Sequence, residues 1–141
     1  MDTGVVPLGA DGREAAVALW ERCGLTRPWN DPYADLDRAL AGPSSTVLAA
    51  ADPAGGLVGT VMVGHDGHRG WMYYLAVDPA RRRGGLGRMM MAAAETWLRN
   101  RGAPKVQLMV RTGNDEALAF YVRLGLERQD VVTLGRWLEA G

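Results

Sequence analysis

Positions 81 to 88 read Arg-Arg-Arg-Gly-Gly-Leu-Gly-Arg, which gathers four of the chain's 16 cationic residues and three glycines into one turn. An apolar run ending Leu75-Ala76-Val77-Asp78-Pro79 precedes it, and a run with Leu86, Met90, Ala93 and Trp97 at helical spacing comes after it. A strand therefore enters a glycine turn and leaves as a helix, a unit that belongs to α/β architectures. Glycines let the backbone bend there so that consecutive N–H groups point outward at a helix N-terminus, where the partial positive charge favours an anion. The pattern reads as a phosphate cradle, with a solvated arginine cluster ahead of an ordinary helix as the competing reading.

Two familiar nucleotide loops fit poorly. A Walker A loop needs Lys and Ser/Thr after its last glycine, and Gly87 is followed by Arg88 and Met89. The dinucleotide pattern Gly-x-Gly-x-x-Gly fails because Gly85-Leu86-Gly87-Arg88-Met89-Met90 places a bulky Met at the third glycine.

Around this turn the chain is punctuated by Gly and Pro. Val5 to Leu8 reads as a strand, and Asp11-Gly12-Arg13-Glu14 as a capping box opening a helix with Ala16, Leu19, Trp20 and Cys23 on one face. After the Leu25 to Pro32 loop, Asp31 and Pro32 begin a second helix bearing Tyr33, Leu36 and Leu40. Extended runs over 46–51, 57–65 and 69–77 are joined by turns at Asp52-Pro53-Ala54-Gly55-Gly56 and Asp66-Gly67, the latter a hairpin signal. Beyond the cradle helix come a strand from Val106 to Val110, a helix capped by Asn114 with Ala117, Phe120, Tyr121 and Leu124, and two short strands, from Leu126 and over Val131 to Leu138. The order βααβββαβαββ predicts an α/β sandwich on a mixed sheet, with hairpins before the cradle and a parallel crossover after it. At 141 residues the whole chain, 1–141, is expected to form a single domain.

Sixteen basic and sixteen acidic residues give zero formal net charge, so no extended basic surface is offered to nucleic acid. The single Cys23 forms no intrachain disulfide, and with only His65 and His68 no Cys/His cluster has zinc spacing, so no metal is expected. No apolar run approaches membrane-spanning length and the N-terminus lacks the marks of a signal peptide, so the expected compartment is the cytoplasm, with no membrane partner.

Arg82-x-x-Gly85-x-Gly87 after a strand ending Val77-Asp78-Pro79 resembles the acetyl-CoA signature of the GNAT superfamily of N-acetyltransferases. A second motif, Asn114-x-x-Ala117-x-x-Phe120-Tyr121-x-x-x-Gly125-Leu126, resembles that family's downstream pattern in the right order. Within the superfamily, Leu25 to Pro32, the turn from Asp66 to Gly70 and Asp130 to Gly135 resemble the YpeA-like bacterial acetyltransferases. Two departures stand out: Arg83-Gly84 reverses the usual order, and Leu126 replaces an aromatic. The resemblance implies a mixed, mostly antiparallel central sheet flanked by helices, and acetyl-CoA as co-substrate. It implies that backbone amides of Arg82, Arg83, Gly84, Gly85, Leu86, Gly87 and Arg88 hold the pyrophosphate, with Arg82 and Arg88 adding charge. It further implies that the backbone of Leu75, Ala76 and Val77, splayed from the next strand, binds pantetheine and stabilises charge on the thioester oxygen.

Tyr121 falls where the family places a tyrosine near the sulfur, and a phenol with an ordinary pKa of about 10 suits hydrogen bonding to a thiolate of about 8.5. Packing beside Phe120 and Leu124 is its alternative. Asn114 caps its helix and, by resemblance, bonds the cofactor. Many family members carry a Glu on the central strand as base, whereas Trp71-Met72-Tyr73-Tyr74-Leu75 has no carboxylate. That leaves Tyr73 or Tyr74 through a water, Asp66, His65, His68 and Asp130 as candidates. Trp29, Asn30 and Tyr73 are the candidate acceptor wall. The expected activity is N-acetylation of a primary amine (protein N-terminus, lysine or small amine) in a ternary complex, by a monomer or homodimer. A non-catalytic acyl-CoA sensor and a local-arginine nucleic-acid binder are the alternatives.

Overall fold

The computed structural model describes residues 4–82 and 84–139, which form two compact units with their boundary between Met109 and Val110. The first contains β1 (Val5–Pro7), α1 (Arg13–Arg22), α2 (Pro32–Ala41), β2 (Ser45–Ala51), β3 (Leu57–His65), β4 (Gly70–Val77), α3 (Leu86–Asn100) and β5 (Val106–Leu108). The second contains α4 (Asp115–Arg123).

The strands make one sheet in the order β1-β2-β3-β4-β5. β1 to β4 pair antiparallel, and β4 pairs with β5 in parallel through the α3 crossover. The mixed, mostly antiparallel α/β architecture is therefore present. Its two closing strands are not: among the described residues no strand comes after α4. Val132, Leu134 and Leu138 are 85%, 90% and 92% exposed. Apolar alternation favours a strand only when a neighbouring ladder takes its N–H and C=O groups, and no ladder among the described residues includes this segment.

Strand alternation sorts the first unit into two faces. Val47, Ala49 and Ala76 face α1 and α2, packing with Ala16, Val17, Leu19, Trp20, Leu36 and Ala39. α3 covers the other face, where a side chain added at Gly59 would meet Met90 and one at Gly70 would meet Leu98 at 2.5 Å. The two glycines thus let α3 approach the sheet closely. Its buried stripe is Met90, Met91, Ala94 and Leu98, displaced from the expected Leu86, Met90, Ala93 and Trp97. Both stripes satisfy the 3.6 period, and the Met89-Met90-Met91 run gives no preference between them. The Trp97 ring stays half-buried under the Arg101 guanidinium, 3.7 Å from its centroid.

Local signals are mostly honoured. Asp31 accepts from the Tyr33 and Ala34 amides at 3.0 and 3.4 Å ahead of Pro32. Asp11 instead lies in a 3-10 turn, and Gly12 is the N-cap of α1, with no side-chain cap. Because Leu36 is fully buried while Leu138 is 92% exposed, Leu36→Ala should destabilise the protein by about 2–5 kcal/mol and Leu138→Ala by less than about 0.5 kcal/mol. Urea unfolding checks both; equal effects would place Leu138 in a packed core.

Candidate active site

Gly85 is the N-cap of α3 in the left-handed conformation, φ 81°, which an L side chain adopts at a cost of about 1–2 kcal/mol. The first helical bond runs from the Met89 amide to the Gly85 carbonyl at 3.0 Å. The amides of Leu86, Gly87 and Arg88 therefore precede the helical ladder and point out of its positive end. The arginines around them divide. Arg81 forms an ion pair with Asp52 in the β2–β3 turn, so its charge is largely met. Arg82 folds back, its Nε donating to the Val77 carbonyl at 3.5 Å, while Arg88 is exposed on the first turn of α3. Gly84 is exposed beside Gly85; Arg83 lies outside the described residues. Asp78 turns the chain from β4 into the cradle, its side chain accepting from the Ala80 amide at 3.0 Å and pairing with Arg22 at 3.7 Å.

The cradle sits at the open end of β4. Pairing with β5 covers Gly70, Trp71 and Met72 and ends at Leu108, whereas β4 continues to Val77. The Asp78 amide donates to Val58 on β3 at 2.8 Å, so alternation turns Ala76 toward β3 and the N–H groups of Leu75 and Val77 toward the open side. The Val77 carbonyl also accepts from the Cys23 thiol at 3.2 Å. Leu75, Ala76 and Val77 thus run into the turn that carries Arg82, Gly84, Gly85, Leu86, Gly87 and Arg88.

A feature that no motif marks lies one residue earlier. Met62 pairs with Tyr73 and Thr60 with Ala76, so β4 carries one residue more than β3 between them. Tyr74 adopts φ 51°, the only non-glycine positive φ among the described residues. Gly70 faces α3, and strict alternation would send Tyr74 the same way; the bulge turns its ring onto Trp20, centroids 3.8 Å apart and 11° from parallel. Its hydroxyl donates to Asp35 at 2.8 Å. Burial, then that hydrogen bond, pushes the phenol pKa upward, so Tyr74 stays protonated and is a poor base. Tyr73 is 45% exposed, its pKa also raised by burial and then by the Asp66 charge.

The other base candidates are scattered. Asp66 accepts from the Arg69 and His68 amides at 2.8 and 2.9 Å and from the Trp71 indole at 3.3 Å. The backbone hydrogen bonds hold its carboxyl below the usual range, the mark of a turn-forming residue. His68 is exposed in the same turn, and His65 is half-buried with its ring 6.3 Å from that of Trp97. Trp29 is 54% exposed in the α1–α2 loop, where the Asn30 amide donates to the Arg27 carbonyl at 3.1 Å. No group of three or more His, Cys, Asp or Glu able to hold a metal exists among the described residues. None of their helices is long and apolar enough to cross a membrane.

In the second unit Asn114 caps α4, its side chain accepting from the Ala117 amide at 3.2 Å. Tyr121 packs edge-on against Phe120, centroids 5.1 Å apart, and burial pushes its pKa up to about 12. It is therefore protonated throughout the neutral range. Asp130 is exposed.

Residues 13–126 match the model of the acetyltransferase (GNAT) family. Acetyltransferase ECA0875 of Pectobacterium atrosepticum is 45% identical over 128 residues, 91% of this chain and 90% of that protein. The chain belongs to the GNAT family of acetyltransferases. Among solved GNAT-like structures, AAC(6')-Iy in complex with the bisubstrate analogue CoA-S-monomethyl-acetylneamine shares the fold at a TM-score of 0.82 and 16% identity, over 97% of this chain and 99% of that one. The ribosomal-protein-S18-alanine N-acetyltransferase of Escherichia coli shares it at 0.73 and 24% identity, over 86% and 76%. The GNAT family match runs through the cradle, the open end of β4 and α4 alike.

The lowered pKa of Asp66 gives a sign to its pH dependence. Its ionised form adds stability above the unfolded value of about 4, and that contribution is lost as pH falls through the lower folded value. A tryptophan-fluorescence titration should show a step below about pH 4 that Asp66→Asn removes. A step of the same size in the variant would assign it to another group.

Proposed function

We propose that this enzyme transfers the acetyl group of acetyl-CoA to a primary amine by direct attack in a ternary complex. The observation that carries the reading is the juxtaposition of an open strand end, with Leu75 and Val77 N–H groups unclaimed by β5, and a glycine-led helix N-terminus. This donor set fits the co-substrate: helix amides and Arg82 and Arg88 suit a pyrophosphate, and a free strand edge suits the amides of a pantetheine arm. Acetyl-CoA supplies the acyl group and a thiolate leaving group. An N–H of Leu75 or Val77 donates to the thioester oxygen, where negative charge develops as the amine attacks. Tyr121, held protonated by burial, hydrogen-bonds the departing sulfur, and Asn114 adds a cofactor contact; both roles rest on the sequence motif they occupy. Trp29, Asn30 and Tyr73 form the acceptor wall. The acceptor is a protein N-terminus, a lysine or a small amine, and residues 1–141 act as one acetyltransferase domain in the cytoplasm.

The engagement of Asp66 in its turn and of Tyr74 with Asp35 favours one rival, a sensor that binds acyl-CoA without turnover. A thermal-shift assay and product detection across peptides, polyamines, amino acids and aminoglycosides separate them. Acetyl-CoA should raise Tm, and at least one amine class should be acetylated; stabilisation without any product supports the sensor. Tyr121→Phe should lower kcat by about one to two orders of magnitude with the KM for acetyl-CoA retained. Unchanged kcat removes Tyr121 from the chemistry. Trp29→Ala with Asn30→Ala should raise the acceptor KM, and an unchanged value excludes both from the wall.

A further inference from the structure

Thr60 is the one buried polar side chain among the described residues, fully enclosed in an otherwise apolar stretch of β3. Its hydroxyl has two partners on different elements. The Trp20 indole of α1 donates to it at 2.8 Å, and it donates in turn to the Tyr74 backbone carbonyl at 3.1 Å. A hydroxyl has one proton to give, and the indole can only donate, so the direction of this relay is fixed. Every link ends on the bulge. The carbonyl of Tyr74 is held by Thr60, its ring lies against Trp20, and its hydroxyl is anchored to Asp35. A non-glycine residue in the left-handed region persists only where its surroundings over-determine it. The strand that leaves this residue is the one whose open edge presents Leu75 and Val77.

We propose that Thr60 is a positioning residue: by relaying the Trp20 indole to the Tyr74 carbonyl it locks the β4 bulge and so sets the direction of the Leu75 and Val77 N–H groups. The proposal rests on the acetyl-transfer reading for its catalytic consequence and on the bulge alone for its structural one. Valine matches the shape of threonine but breaks both hydrogen bonds, whereas serine keeps the hydroxyl. A misplacement of about 1 Å in a catalytic group costs up to about a hundredfold in rate.

Thr60→Val, Thr60→Ser and the wild type are compared in two measurements. In amide hydrogen exchange, Thr60→Val should speed exchange selectively within residues 74–78 at the amides that face β3, Ala76 and the Asp78 amide bonded to Val58, while the Leu8 amide bonded to Val47 on the far side of the sheet is unaffected. In acetyl transfer it should lower kcat about tenfold or more with the KM for acetyl-CoA within about twofold; Thr60→Ser should restore both readouts. Unchanged exchange at 74–78, or a uniform rise across the sheet, overturns the lock. Selective exchange with wild-type kcat, or an equal loss in the serine variant, overturns the positioning role. If Thr60→Val does not fold, Trp20→Phe removes the indole donor and should give the same selective exchange to a smaller degree, and wild-type exchange there overturns the lock. Absence of both turnover and acetyl-CoA stabilisation in the wild type refutes the acetyl-transfer reading, and the exchange data still decide the lock.

Discussion

The first unit is organised by a conflict within β4. That strand must satisfy β3 along its length, yet near its C-terminal end its other edge has no partner strand among the described residues. A flat continuous pairing would do neither well, because a strand edge left open by a short neighbour still points its groups wherever the pleat dictates. One additional residue resolves this. The bulge at Tyr74 increases local twist and re-aims Leu75, Ala76 and Val77, and the left-handed backbone costs about 1–2 kcal/mol. An aromatic stack of about 0.5–1.5 kcal/mol and buried hydrogen bonds of about 0.5–1.5 kcal/mol each offset that strain. Trp20, Thr60 and Asp35 come from three different elements, so α1, β3 and α2 must all be in place before the bulge is stable.

Charge is distributed with the same reliance on partners. Arg13 pairs with Asp37, Arg22 with Asp78, Arg38 with Asp35 and Arg81 with Asp52. Arg81, Arg82 and Arg88 of the glycine turn therefore do not act as a block. Arg81 braces the glycine turn against the β2–β3 turn, and Arg82 folds back onto the Val77 carbonyl.

The regular part of this architecture was legible in the residues. The hairpin at Asp66-Gly67, the Asp31-Pro32 helix start, the glycine turn and the Asn114 cap are local signals, and each formed where its chemistry acts within a few residues. The displaced stripe of α3 shows the limit of periodicity, since two stripes one residue apart fit equally well and only the close approach at Gly59 and Gly70 selects between them. The strands expected after Leu126 depended on a partner that a pattern cannot supply. At the candidate site, Leu75 to Val77 and the cradle were marked by motif, but the bulge was not. Adjacent tyrosines give no hint that one adopts a left-handed backbone, and Trp20 read as core because its indole partner lies 40 positions away. Thr60, a lone polar residue between Val58 and Val61 in a buried strand, was the one available clue.

The approach of α3 to the sheet at Gly59 and Gly70 also bears on the direction of its first turn. Both contacts fall along the length of the helix whose first turn forms the cradle, so its orientation is set by core packing rather than by whatever arrives at its N-terminus. The aim of the Leu86, Gly87 and Arg88 amides is thus decided during folding, by two side chains that are not there.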